Sequence, residues 1–206
     1  GTTETTQSLL GPFWRLNSPR TENGGSIVRS STPGEALFVS GRVVDRANRP
    51  VAGAEVDVWH SSPVGLYENE DAGQVDMNLR GKFTTGKDGH FGFRSVKPAG
   101  YPIPVDGPVG DLVRATGRHN FRPAHLHFLI FKEGCKTLIS QIYSNDDQHL
   151  ETDVQFGVTR ALIGNYVRHA ADEKAPAPDV RGEWYSLDQT FVMEPGKSRL
   201  PKPPIR

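Results

Sequence analysis

The chain predicts a mainly β fold, a β-sandwich with long loops and one late amphipathic helix, and three observations carry that expectation. Its 22 Gly and 16 Pro are spread along the whole length instead of being gathered in linkers. Between them lie short apolar runs of strand length, many rich in Val, Ile and Phe. Turn-forming residues punctuate those runs, which favours many short strands over long helices.

The elements follow in chain order. Strands are expected at Ala36 to Val44, Ala54 to Trp59, His90 to Val96, His125 to Phe131 and Thr137 to Tyr143, with a turn at Gly86 to Gly89 and another irregular stretch at Pro98 to Gly107. The run GRVVDRANRPVAGAEVDVWH reads as a hairpin around a polar turn, its Val43, Val51, Val56 and Val58 packing one sandwich core. Two spans, Ser61 to Lys82 and Lys97 to Arg122, exceed the usual connection length, and such loops commonly carry function. From Asp153 to Ala171 the residues Val154, Val158, Leu162, Ile163 and Val167 approximate helical spacing, so an amphipathic helix is expected there. A strand returns at Leu187 to Met193, and the Pro-rich, basic GKSRLPKPPIR reads as an extended tail. One domain over 1–195 and a tail over 196–206 follow from this division.

Composition narrows the function. Lys plus Arg equals Asp plus Glu at 24 each, so no global field recruits nucleic acid or an anionic membrane. A single cysteine, Cys135, leaves neither a disulfide framework nor a Cys-rich zinc site. No apolar run reaches membrane-spanning length, and the polar start GTTETTQS lacks the regions of a signal peptide, so a cytoplasmic location is expected. Because the chain opens on Gly1 instead of an initiator methionine, it is expected to have been trimmed or tagged, with a removed leader or N-terminal domain left open.

The most informative stretch is RPAHLHF, residues 122–128. On a strand, side chains two apart share a face, so His125 and His127 can converge on one ion. The pair alone leaves zinc, copper and iron open. Tyr67 in GLYENED and Tyr101 in AGYPIP sit in the two long loops, where they can be delivered to the same place. A phenol titrates near 10, so holding it as phenolate at neutral pH needs a strongly Lewis-acidic ion, and a hard trivalent one suits oxygen best. Two phenolates and a hydroxide would balance Fe(III), giving a nearly neutral centre able to exchange its oxygens for those of an acidic diol. Each residue also has an ordinary role to be weighed. A His-x-His pair is more often hydrogen-bonded structure, turn tyrosines are mostly packing residues, Arg122 could be a surface ion-pair partner, Gln141 an outward polar position, and Trp59 core in preference to a ligand platform. His60, His90, His119, His149 and His169 read as non-ligands.

With those segments in view the chain resembles the intradiol ring-cleavage dioxygenases, non-haem Fe(III) enzymes that open catechols between their two hydroxyls using O2. The resemblance runs from LLGPFW through GRVVDRANRPVAGAEVDVWHSSPVGLY, NLRGKFTTGKDGHFGFRSV, YPIPVDGPVG and RATGRHNFRPAHLHF to YSLDQTFVM. It implies Tyr67, Tyr101, His125 and His127 as iron ligands, with Tyr101 the axial phenolate that leaves as substrate chelates, His125 opposite it, and Tyr67 and His127 equatorial. It implies that Arg122 and Gln141 line the site and stabilise negative charge, and that Leu9, Pro12, Phe13 and Val154 wall the pocket. YPIPVDGPVG with RATGRH is most similar to hydroxyquinol 1,2-dioxygenases, which implies 1,2,4-trihydroxybenzene as substrate and maleylacetate (3-hydroxymuconate) as product, with catechols giving cis,cis-muconates as the alternative. Such enzymes usually begin with a helical domain that forms a homodimer. This chain starts just before LLGPFW, so the expectation is either a removed domain or a compact variant whose pocket rim comes from the tail after Met193 or from a neighbouring subunit. Two other readings stand beside this one. A non-catalytic prealbumin-like sandwich module would explain 36–96 but not the His pair with its tyrosines, and a zinc hydrolase lacks an HExxH-type spacing.

Overall fold

The computed structural model describes residues 3–205; the outermost residues of the expected domain and tail, Gly1, Thr2 and Arg206, lie outside that range. The chain forms β1 (Ala36–Asp45), β2 (Glu55–Trp59), β3 (Arg80–Thr84), β4 (His90–Val96), β5 (Tyr101–Pro102), α1 (Pro108–Ala115), β6 (Phe121–Arg122), β7 (His125–Phe131), β8 (Leu138–Ser144), β9 (Ile163–Gly164), β10 (Tyr166–His169) and β11 (Trp184–Met193). One sheet has the order β10-β11-β1-β4, a second β3-β2-β7-β8-β9, and β5 and β6 make a separate ribbon. The mainly β expectation holds, and five of the six expected strands keep their bounds to within a residue, the sixth starting earlier at Trp184.

Period-two alternation builds the core between the two sheets. From one sheet come Leu37, Val39, Val43, Phe91, Phe93, Leu187 and Phe191; from the other come Val56, Val58, Phe83, Leu126, Phe128, Ile130, Leu138 and Ile142. Val51 packs against the same cluster, so all four hairpin valines reach the core as expected. Gly81 on β3 faces inward because a Cβ there would lie 2.4 Å from the Ile27 side chain.

Two expectations are corrected. The run from Gly41 to Trp59 is not a hairpin within one sheet: β1 pairs with β11 in parallel and with β4, whereas β2 pairs with β3 and β7. The polar turn is real, with Asp45 Oδ1 accepting from the Ala47 and Arg49 amides and a bridge at Val44–Pro50, but it carries the chain across from one sheet to the other. The late helix from Asp153 to Ala171 is absent. That segment is a turn, a short 3-10 turn at Arg160–Leu162, and strands β9 and β10. Its β-branched residues and its two glycines, Gly157 and Gly164, disfavour helix, and pairing with β8 and β11 is available instead. The α-helix is α1, inside the loop expected to be irregular, with Pro108 in its first turn and Gly117 at φ +63 just past its end. Among the described residues no helix is long and apolar enough to cross a membrane. Residues 196–205 form neither helix nor strand and lie against the β7–β8 connection through Gly196 N–H to Gly134 O (2.9 Å) and Arg199 N–H to Thr137 Oγ1 (3.1 Å).

The five-stranded sheet is also covered on its outer face. There Trp14, Trp59, Tyr67 and Leu129 form a second apolar cluster, joined by Leu10, Phe13, Tyr101, Phe131 and Ile139. At its margin Asp57 is 2% exposed; its Oδ2 accepts from Trp14 Nε1 at 3.1 Å and lies 3.9 Å from Lys82 Nζ, while its Oδ1 has no protein partner. Burial pushes the Asp57 carboxyl up to about 6, outweighing Ser18, Lys82 and Trp14. The folded value lies above that of an unfolded carboxyl, so the proton favours the fold: this contribution is full below about pH 4 and is lost as pH rises through about 6. Asp57→Asn is therefore expected to gain on the wild type between pH 4 and 7 by about 2–3 kcal/mol, the free energy of holding that proton to about pH 6. Urea denaturation across that range checks it, and a variant-to-wild-type difference independent of pH would refute it.

Candidate functional site

The site lies on the outer face of the five-stranded sheet, at its centre. Strand β7 alternates Leu126, Phe128 and Ile130 into the main core with His125, His127 and Leu129 outward. Cross-strand register then sets a row across four strands: Arg80 beside Trp59, Trp59 beside His127, His127 beside Gln141. The next row pairs His125 with Tyr143.

Four predicted ligands come together. His125 Nε2 and His127 Nε2 are 3.1 Å apart, and the Tyr67 and Tyr101 hydroxyls are 3.4 Å apart. The Tyr67 and Tyr101 rings meet edge to face at 5.6 Å, and Tyr101 lies 5.7 Å from the His125 ring. Tyr67 is held at 1% exposure in the outer cluster, whereas Tyr101 is only partly covered and sits on the two-residue strand β5, paired with Arg122 on β6. Close approach of the two loops needs glycine: a Cβ at Gly65, which has φ +81, would stand 3.0 Å from Tyr101 Cβ.

The Tyr67 loop is clamped from below by a buried ion pair. Arg80 donates Nε to Glu68 Oε1 at 2.7 Å, Nη1 to the Phe13 carbonyl at 2.5 Å and Nη2 to Asn69 Oδ1 at 3.2 Å, and Arg15 shares Glu68 at 3.0 Å. The same arginine thus ties the loop to the N-terminal segment that roofs the site. In that segment Gly11 has φ +75, and a Cβ there would be 3.1 Å from His127 Cε1.

The predicted wall residues divide. Phe13 packs on Tyr67 with ring centroids 4.6 Å apart, and the Leu9 carbonyl accepts from Gln141 Nε2 at 2.7 Å. Pro12 is exposed on the same segment, while Val154 is buried, its amide bonded to Phe121 O. Cavities of about 560 Å³, behind the Tyr101 loop near Lys97 and Asp147, and of about 850 Å³, on the outer face of the other sheet, contain none of the four.

Arg122 is not a surface residue. It is 2% exposed and donates Nη1 to His125 Nε2 (3.2 Å), Nη2 to Gln141 Oε1 (2.9 Å) and Tyr143 Oη (2.8 Å), and Nε to Asp153 Oδ1 (3.3 Å). Burial opposes its charge, but the oxygens of Tyr143, Tyr101 and Asp153 more than offset this and move its pKa further up. Trp59 is core as expected and is a platform as well, stacked on His127 at 4.7 Å and 9°. The other histidines stand apart: His60 bonds Ser95 and the Ser61 carbonyl, His90 bonds Ser40, His119 bonds Thr152, His149 stacks on Phe121, and His169 stacks on Trp184. Sequence reasoning missed Tyr143, Asp153, Glu68 and Arg80. Tyr143 carried a signal, since it follows Gln141 by two on one strand face.

Donor chemistry at this site suits a cation. Burial, then the Arg122 charge for His125 and the neighbouring His125 for His127, holds both imidazoles well below their ordinary pKa, hence neutral. His125 Nδ1 donates to the Pro123 carbonyl at 2.7 Å, which leaves its Nε2 as a lone pair. Both Arg122 Nη1 and His127 Nε2 face that lone pair, and the buried His127 Nδ1 has no protein partner. Two nitrogens at right angles about 2.0–2.1 Å from one ion would lie about 3 Å apart, close to the observed spacing. Burial raises Tyr67 well above the ordinary phenol range, with Tyr101 adding to it, and also raises Tyr101 against the pull of Arg122. Only a strongly Lewis-acidic ion would hold them as phenolates. Among the described residues no three His, Cys, Asp or Glu gather around a point, so a metal ion held here would draw on the tyrosines.

Comparison with known proteins adds a lineage. A family model described as Dioxygenase matches residues 9–188. Hydroxyquinol 1,2-dioxygenase of Rhizobium sp. (strain MTP-10005) is 42% identical over 195 residues, covering 94% of this chain and 65% of the relative. 6-Chlorohydroxyquinol 1,2-dioxygenase of Cupriavidus pinatubonensis is 40% identical, covering 95% and 66%. The chain thus spans about two thirds of the length of these relatives. The solved structure of hydroxyquinol 1,2-dioxygenase from Pseudomonas putida DLL-E4 superposes with a TM-score of 0.85 at 38% identity, covering 95% of this chain and 68% of the other.

Glu68→Ala is expected to lower stability by about 3–5 kcal/mol, because it strands the Arg80 charge in the interior. A loss below about 1 kcal/mol in urea denaturation would mean that the pair does not hold the loop.

Proposed function

The chain belongs to the intradiol ring-cleavage dioxygenase family, and on that footing we propose that it opens hydroxyquinol between its vicinal hydroxyls with both atoms of O2, giving maleylacetate (3-hydroxymuconate). The observation that carries the proposal is the convergence of two phenols and two neutral imidazoles on one buried face. Residues 1–195 are assigned as the catalytic unit and 196–206 as a tail. Tyr67, Tyr101, His125 and His127 would hold Fe(III), the non-haem metal of this family. Bound there, the ion would supply Lewis acidity and draw electron density from a chelated diol, making the ring open to attack by O2.

The protein's own groups divide the remaining work. Tyr67 is locked by Phe13, Trp59 and the Glu68–Arg80 clamp, which suits a donor that stays. Tyr101 is partly covered and rests on a two-residue ribbon, which suits the donor that yields; its Oη would take a proton from the incoming diol. Arg122 presents a fixed positive charge at the imidazole pair, where negative charge would develop on the ring carbon under attack. Gln141 has both ends engaged, its amide by Leu9 O and its carbonyl by Arg122 and Tyr143, so its part is to hold Arg122 and the roof segment together. Leu9 and Phe13 would serve as wall residues, a reading supported by the Leu9 carbonyl on Gln141 and by Phe13 packed on Tyr67, and Pro12 and Val154 are assigned to the wall by resemblance alone. The likeness to hydroxyquinol enzymes supports the substrate; catechol and its substituted forms are the second reading.

Protein loaded with ferric iron should be burgundy from a phenolate-to-iron charge-transfer band. Tyr67→Phe or Tyr101→Phe should shift or weaken the band, and His127→Ala should lose the iron. A colourless loaded protein, or a band unchanged in both Tyr variants, would refute the ligand assignment. Oxygen uptake should be fastest on hydroxyquinol within a panel of catechol, chlorocatechols and protocatechuate; faster uptake on catechol would transfer the assignment to the second reading. Arg122→Ala should keep iron and colour while turnover falls on the order of 10²-fold, the usual scale for losing one preorganised electrostatic group. Full turnover would remove its electrostatic role.

A further inference from the structure

We propose that Tyr143 and Asp153 are positioning residues for Arg122: together they hold its guanidinium so that one edge is committed to the scaffold and the other faces the imidazole pair. The proposal rests on the ring-opening function just given.

The argument is an inventory of the donors on Arg122. Nε goes to Asp153 Oδ1 at 3.3 Å, and Nη2 goes to Tyr143 Oη at 2.8 Å, Gln141 Oε1 at 2.9 Å and Asp153 Oδ2 at 3.4 Å. These partners belong to β8 and to the turn after it, so that edge is fixed by elements outside Arg122's own ribbon. Nη1 alone is directed at His125 Nε2, at 3.2 Å. Arginine's planar fork transmits this constraint: anchoring Nε and Nη2 leaves no freedom in the direction of Nη1.

Both fixing groups are themselves fixed. Tyr143 stands opposite His125 in the β7–β8 register, donates its hydroxyl to Gln141 Oε1 at 2.6 Å and accepts from Arg122. Asp153 is 3% exposed and is gripped by its own turn, accepting from Gly157 N–H at 2.8 Å and Gln155 N–H at 3.3 Å. Arg118 donates to the Asp153 carbonyl at 2.8 Å, and Val154 N–H donates to Phe121 O at 3.1 Å, which ties the turn to the residue before Arg122. Gly157 closes the arrangement. A Cβ at that position would stand 2.6 Å from Tyr143 Oη and 3.1 Å from both Arg122 Nη2 and Asp153 Oδ2, so the turn can lie against the cluster only without a side chain.

The test is a double-mutant cycle on the ferric enzyme with hydroxyquinol. Tyr143→Phe keeps the ring and deletes one acceptor and one donor; Asp153→Asn keeps shape and removes charge. Each alone should lower kcat by about 10- to 100-fold with KM moved less than about threefold, while iron content and the visible band stay those of the wild type. In an Arg122→Ala background Tyr143→Phe should reduce kcat by less than about twofold further, because its effect passes through the missing guanidinium. Gly157→Ala, which crowds the cluster without removing a polar group, should reproduce the kcat loss and serves if Asp153→Asn does not fold. Losses that multiply fully in the Arg122→Ala background, a change confined to KM, a lost visible band, or unaltered kcat in Tyr143→Phe would each overturn the proposal. A wild-type enzyme that opens no diol would overturn the function itself and this inference with it; an active wild type with multiplying losses would overturn only the inference.

Discussion

Burial of β7 on both faces is the constraint from which the rest follows. Its even-numbered residues hold the two sheets together, and its odd-numbered ones carry the imidazoles, so the strand cannot slip by one residue without placing His125 and His127 in the main core. The geometry of the imidazole pair and the fold register are thereby one property. The imidazoles gain rigidity from the part of the molecule with most apolar packing, and both Trp59 and Gly11 close on His127.

Around that strand the polar groups are arranged as two buried, paired arginines. Arg80 with Glu68 supports the Tyr67 side, and Arg122 with Asp153 supports the His125 side. Taking such charges out of water is unfavourable unless their hydrogen bonds are nearly complete, and here each guanidinium has partners on several chain segments. What they contribute is definition of position. The N-terminal segment, the two long loops and the sheet meet through these two side chains, which is how short, glycine-rich segments without regular structure can still deliver a tyrosine or a carbonyl to a set place.

Much of this was legible in the sequence, for identifiable reasons. Strands β1, β4, β7 and β8 declared themselves through alternation and β-branched content, and the four candidate ligands through residue type and place. Sheet membership was not legible: nothing in GRVVDRANRPVAGAEVDVWH says that β11, more than a hundred residues away, claims β1 ahead of its neighbour β2. The segment after Asp153 misled because apolar residues at helical spacing can equally be residues of a turn and two short strands, and its glycines carried the better signal. In α1 the misreading was the reverse, since the span from Lys97 to Arg122 was read as irregular when Pro108 and Gly117 bracket a helix within it. The buried polar partners were unreadable for a different cause. Glu68, Arg80, Tyr143 and Asp153 act through tertiary proximity, and only Tyr143 shares a strand face with a residue already singled out.

The parallel pairing of β1 with β11 over ten positions, Ala36 with Trp184 through Asp45 with Met193, has a consequence for biogenesis. During synthesis β1, an inner member of the four-stranded layer, must wait for a partner made more than a hundred residues later, so that half of the sandwich can form only after β11 has left the ribosome. Until then β1 exposes an unsatisfied backbone edge, and the nascent protein depends on the slow closure of its longest loop.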